Sequence, residues 1–206
     1  MKTIAYCLSL ATLLTIAAPA RAETKGPFEV KSGVFEVKIT TQGQSTAMMK
    51  GTFFFDDYGL VLAGDLISGG GFYPGTDVPV PPAHSLGIDL ADGTRHDIDL
   101  DKKTGTSKRI SPRERLETLD PALKKGAKVT SLPPRVILGR TCPGKEIVEE
   151  SGKALTREWM WKGIPLRVEQ TSTVANSPTV VLETTSLSVA PVPAEKFRVP
   201  AGVKMK

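Results

Sequence analysis

Cysteine is nearly absent from this chain: its 206 residues hold only Cys7 and Cys142. Histidine is as scarce, with His84 and His96 alone, and neither stands at ligand spacing from Cys142. The chain therefore shows no zinc motif and no disulfide framework, and its stability has to come from packing. Long apolar runs are missing beyond the first residues, so no transmembrane helix is expected. Blocks of like charge and internal repeats are missing too. With 27 basic and 22 acidic residues, the balance is too mild to suggest a nucleic-acid partner.

The first residues carry a three-part pattern. Met1-Lys2 is a short positive start, Ile4 to Ala18 is almost continuously apolar, and Ala20-Arg21-Ala22 is a small-x-small cleavage site. This reads as a secretory signal peptide over residues 1–22, too short to span a bilayer comfortably. Cys7 lies inside its apolar part, which leaves Cys142 as the one cysteine of the exported chain, expected as a small buried hydrophobe. Residues 23–206 are long enough for one domain with a sizeable core. Without Lys2 and Arg21 they carry a net charge of +3. An exported protein of the bacterial periplasm is expected.

The remaining pattern is mainly β. Phe28 to Thr40 alternates, with Phe35, Val37 and Ile39 opposite Glu36 and Lys38, and Ser32-Gly33 marks a bend. Ala47 to Phe55 and Leu60 to Ile67 flank the turn residues Asp56-Asp57-Tyr58-Gly59. Ser68 to Ala83 is rich in Gly and Pro, a loop of about 16 residues expected to be either a functional flap or disordered. Ser85 to Asp101 predicts a hairpin around Asp92-Gly93. Ser111-Pro112-Arg113-Glu114 is a helix-start pattern, with Leu116, Leu119 and Leu123 on one face, a second cap at Asp120 and a stop at Gly126. In "EWMWKGIPLRV", a turn at Lys162-Gly163 sets Trp161 against Ile164, Trp159 against Leu166 and Glu158 against Arg167. Thr179 to Val189 is a further strand.

Several patterns imitate catalytic or binding motifs. Gly139 to Lys145 reads G-x-x-x-x-G-K, but Glu146 stands where a phosphate loop needs a hydroxyl, and no long helix follows. The stretch is better read as a turn between two strands at Pro143-Gly144. "AHSLG", Ala83 to Gly87, resembles a nucleophile elbow, yet prolines precede it and a strand follows. Asp97, Asp99 and Asp101 share one strand face, but Lys102 and Lys108 occupy the positions where a calcium loop needs Gly and an acid. We expect no catalytic residues, no metal and no cofactor. Lys102 to Lys128 holds nine basic residues against three acids; Lys124 and Lys125 within it are candidates for docking an anionic headgroup or an acidic partner.

The tail "VPAEKFRVPAGVKM", Val192 to Met205, resembles the closing segment of the periplasmic lipoprotein carriers (the LolA/LolB-like superfamily), through Lys196-Phe197, Pro200 and Gly202-Val203. "FFFDDYG", "IDLDKKTG" and "WKGIPLRVE" resemble a related group of exported bacterial proteins of unknown function. The resemblance implies a curved antiparallel sheet forming an incomplete barrel, covered by one or more short helices. It also implies a lipid or acylated protein as partner, held between sheet and helix. Phe53, Phe55, Trp159, Trp161 and Leu166 are the candidate apolar wall, faced by Leu116, Leu119 and Leu123. The alternative is an envelope protein-interaction module with a filled core and no ligand.

Overall fold

The computed structural model describes residues 26–42, 48–69, 71–72, 79–111, 114, 116–117, 120–152, 154–172 and 179–206. The expected signal peptide, Leu119 and residues 70 and 73–78 of the Gly/Pro loop lie outside the described residues. Fourteen strands are described: β1 Gly33–Gln42, β2 Met48–Asp56, β3 Val61–Ser68, β4 Gly71–Phe72, β5 Pro79–Val80, β6 Ala83–Asp89, β7 Thr94–Asp99, β8 Thr104–Arg109, β9 Lys128–Ile137, β10 Arg140–Val148, β11 Ala154–Trp161, β12 Ile164–Ser172, β13 Thr179–Ser188 and β14 Lys204–Met205.

Twelve of these form one sheet in the order β14-β8-β7-β6-β3-β2-β1-β13-β12-β11-β10-β9, while β4 and β5 pair separately. Every neighbour in the large sheet is antiparallel except β14, which runs parallel to β8. The sheet curls: Arg135 on edge strand β9 lies 3.5 Å from Glu169 on β12, three strands away. The two edges do not pair with each other, so the barrel is incomplete, as the family resemblance implies.

The alternation in β1 does what a period of two requires. Phe35 pairs with Phe53 on β2, and the two rings stack at 5.1 Å with planes 12° apart. Val37, Phe55, Ile164, Leu166, Cys142 and Trp159 complete this core. A second core forms around Ala63, Ile88 and Ile98 and is covered by Phe197, Val199 and Val203 of the tail. The tail that carries the family resemblance is thus a clamp on β3, β6 and β7.

Three expectations need correction. First, Phe28 belongs to no strand: β1 begins only at Gly33. Residues 26–32 instead form a strap across one end of the sheet. The Phe28 N–H donates to Tyr58 O (2.9 Å), the Glu29 N–H to Lys162 O (3.0 Å), and the Tyr58 N–H to Lys31 O (2.9 Å). Phe28 is thereby buried edge-on against Phe55 at 5.0 Å. Second, the β11–β12 hairpin keeps the Lys162-Gly163 turn and the Trp161–Ile164 pair but slips beyond them. Leu166 is an extra residue on β12, so Trp159 opposes Arg167 and Glu158 opposes Val168. The bulge leaves the alternation of β11 itself intact: Glu158 and Trp159 point to opposite faces, and both are buried. Third, Pro143-Gly144 is not the turn; the chain reverses at Leu138-Gly139. Pro143 sits inside β10 where the register shifts between Cys142 and Gly144, opposite Pro133-Pro134 of β9. A bulge beside an edge strand is where prolines cost no ladder hydrogen bond.

Candidate functional site

Described residues between β8 and β9, Leu116, Asp120 and Leu123, cover a cavity. Ser111 caps the start of this segment, its Oγ accepting from the Glu114 N–H at 3.1 Å. Glu114, Leu116 and Glu117 are helical, and the Asp120 N–H donates to Leu116 O at 2.8 Å. Asp120 then caps a 3-10 turn, Pro121–Leu123, through a bond from the Ala122 N–H at 3.0 Å. Both caps stand where the sequence places them.

The cavity beneath has a volume of about 470 Å³, within the range of small-molecule sites. Leu116 and Leu123 line its cover, Pro27 and Phe28 of the strap close one end, and Pro143 and Met160 form part of the sheet wall. Leu116 and Leu123 remain 36% and 52% exposed, so the apolar cover is only partly packed against the sheet. Gly144 in the sheet wall makes room for an indole: a Cβ there would lie 2.5 Å from Trp159 Nε1. That indole donates to Pro133 O at 3.1 Å, which ties β11 to the edge strand.

At the cavity's polar end, Asp120 and Lys145 join a buried acid. Lys145 Nζ donates to Asp120 Oδ1 at 2.8 Å and lies 2.8 Å from Glu158 Oε1, a close ion contact outside hydrogen-bond alignment. Glu158 is 3% exposed. Burial pushes its carboxyl above the ordinary glutamate value, and the Lys145 ammonium offsets only part of that. For Lys145, burial works against the charge, but the contacts with Asp120 and Glu158 outweigh it and hold its pKa above the usual lysine value. The triad pins the cover to β10 and β11. Asp120 was legible as a cap; its bond to Lys145 was not, because 25 residues separate the two.

A second hollow of about 440 Å³ lies on β2, β3, β6 and β7. Its register rows run from apolar to charged. Phe53 pairs with Gly64, Gly64 with Gly87, and Gly87 with Asp97. Leu62 pairs with Asp89, and Asp89 with Arg95. Arg95 Nε lies 3.2 Å from Asp97 and 3.7 Å from Asp89. The hollow is therefore apolar at Phe53 and Leu62 and ionic at Asp89, Arg95 and Asp97.

The other sequence candidates fall as follows. Phe55, Trp159 and Leu166 are buried in the first core. Phe53 lines the second hollow. Trp161 is half-buried, with the Arg140 guanidinium 4.9 Å and the Lys162 ammonium 5.1 Å from its ring. Lys124 pairs with Glu149 at 2.7 Å, and Lys125 is exposed. Cys142 is fully buried, and desolvation raises its thiol pKa. Ser85 sits within β6 between Leu66 and Asp99, a strand position and not an elbow. His84 is 2.6 Å from Asp65, and His96 is 2.8 Å from Ser107. Among the described residues no cluster of three metal-ligating side chains forms.

No family model matches the chain, and no curated protein matches it. Solved structures do. An uncharacterized conserved protein from Thermus thermophilus superposes with a TM-score of 0.53 at 5% identity, over 84% of this chain and 89% of that one. This shows a shared fold. The matches also include a LolA superfamily protein from Nitrosomonas europaea (TM-score 0.40, 10% identity, 83% and 91% covered). A further match is a putative outer membrane lipoprotein-sorting protein domain from Vibrio parahaemolyticus (0.36, 13%, 83% and 91%).

Proposed function

We propose that this chain is an exported, non-enzymatic binding protein for an apolar ligand, a lipid or the acyl chains of a lipoprotein, acting in the periplasm. The observation that carries the reading is the cavity between the curved sheet and the 111–123 cover, with Leu116, Leu123, Met160 and Phe28 around it. Apolar side chains left half-exposed toward a hollow are the arrangement that an acyl chain completes. Burying roughly ten methylenes contributes on the order of 8 kcal/mol gross. Lost freedom costs about 4 to 15 kcal/mol. The net affinity is weak to moderate, which suits a carrier that must release its load. The Asp120–Lys145–Glu158 triad orients the cover without filling the space.

A second reading, an envelope interaction module with a filled core, draws on the full burial of Phe55 and Leu166. The two separate experimentally. Native mass spectrometry of residues 23–206 with soluble fatty-acid probes is expected to show one-to-one uptake. Met160→Trp, which fills the cavity, should abolish that uptake without unfolding the protein. Absence of uptake by the unmodified protein leaves the interaction module.

A further inference from the structure

Two hairpin turns lie side by side at the end of the sheet closed by the strap. The β9–β10 turn is Leu138-Gly139, with φ of 51° and 70°; the β11–β12 turn is Lys162-Gly163, with φ of 51° and 82°. The Arg140 guanidinium above Trp161 shows that the two tips adjoin. Both turns place a non-glycine residue in the left-handed region at a position where Asn, Asp or Gly is the stable choice. A leucine there is a poor turn residue, and it is exposed: Leu138 is 40% and the neighbouring Val136 74% exposed. The left-handed pair is what a two-residue hairpin turn requires, and the Arg140 guanidinium braces it by donating to Leu138 O at 3.0 Å, while the apolar side chain at the tip is left over water.

The charge around the tip is consistent. Arg140 and Lys162 flank Leu138 and Trp161, and among the described residues no carboxylate stands within ion-pair distance of either. Arg135 is paired with Glu169, and the strap reaches this end through the Glu29 N–H, which donates to Lys162 O. An apolar tip, a half-buried indole and two cations without a carboxylate partner among the described residues together make the composition that seats in a lipid headgroup layer.

We propose that the paired tips of β9–β10 and β11–β12 dock this protein on an anionic bilayer surface, with Leu138 and Val136 entering the headgroup region and Arg140 and Lys162 contacting lipid phosphates. The proposal rests on the lipid-binding reading, since Lys162 and Gly163 also line the acyl cavity.

The test is cosedimentation of residues 23–206 with phosphatidylcholine vesicles, with and without phosphatidylglycerol. Binding is expected only with phosphatidylglycerol. Each cation is worth about fivefold in affinity, so Arg140→Gln with Lys162→Gln should weaken binding about 25-fold. Leu138→Asn is the discriminating variant: it suits the turn better, so the thermal midpoint should hold or rise while vesicle binding falls. Equal binding to both vesicle types, no binding to either, or unchanged binding by Leu138→Asn overturns the proposal. Fatty-acid uptake measured without vesicles should be unaffected by Leu138→Asn, so loss of docking and loss of the acyl site are read separately.

Discussion

Replacing Lys145 with Met removes the single cation that serves two acids. Its ammonium lies 2.8 Å from both Asp120 and Glu158, and Glu158 is almost wholly shielded from water. Methionine keeps the stem and its packing but leaves Glu158 as a buried acid with Asp120 nearby. Breaking one side of a buried pair costs about 3–5 kcal/mol. The sign of the pH dependence follows from Glu158. Its folded-state pKa is already raised by burial, and losing Lys145 raises it further. The folded variant then binds a proton that the unfolded chain releases. Its stability falls as pH rises from the ordinary glutamate value to the raised folded value, by roughly 1.4 kcal/mol per pH unit. Urea unfolding followed by tryptophan fluorescence should show the variant closest to the parent near pH 5 and furthest from it near pH 8. Adding Glu158→Gln should recover most of the loss at pH 8. A penalty equal at both pH values, or a double variant no better than the single one, refutes the buried-triad assignment.

Three more outcomes follow. The unaltered protein should lose stability as pH rises through the raised folded-state pKa of Lys145, because the unfolded lysine gives up its proton first; alkaline denaturation curves of the parent and Lys145→Met check this. Gly144→Ala forces a methyl into the Trp159 indole and should cost about 1–3 kcal/mol, with a red shift of tryptophan emission. Cys142, buried and with its pKa raised, should react with an aromatic disulfide reagent only after unfolding; fast reaction in the native protein would contradict its placement in the core.

What could be read in advance depended on how local the cause was. The period-two alternation of β1 and the Asp92-Gly93 and Lys162-Gly163 turns are local, and the structure keeps all three. The caps at Ser111 and Asp120 are equally local. The resemblance of the tail anticipated an open, curved sheet, although not that the tail itself would clamp β3, β6 and β7. Errors arose where one residue changes the count. Leu166 as a bulge shifts the β11–β12 pairing from Trp159 onward, and Pro143 lies in a bulge within β10 while the chain reverses at Leu138-Gly139. The strap, the triad and the ionic end of the second hollow join residues far apart in the chain, where no spacing rule reaches.

The central claim is that an acyl chain lies between the sheet and the 111–123 cover. A crystal structure of residues 23–206 grown with a bromine-labelled fatty acid tests it directly. The account places the anomalous bromine signal among Phe28, Leu116, Leu123 and Met160. Bromine bound only elsewhere, or a cavity closed by inward rotation of those same side chains, would contradict it.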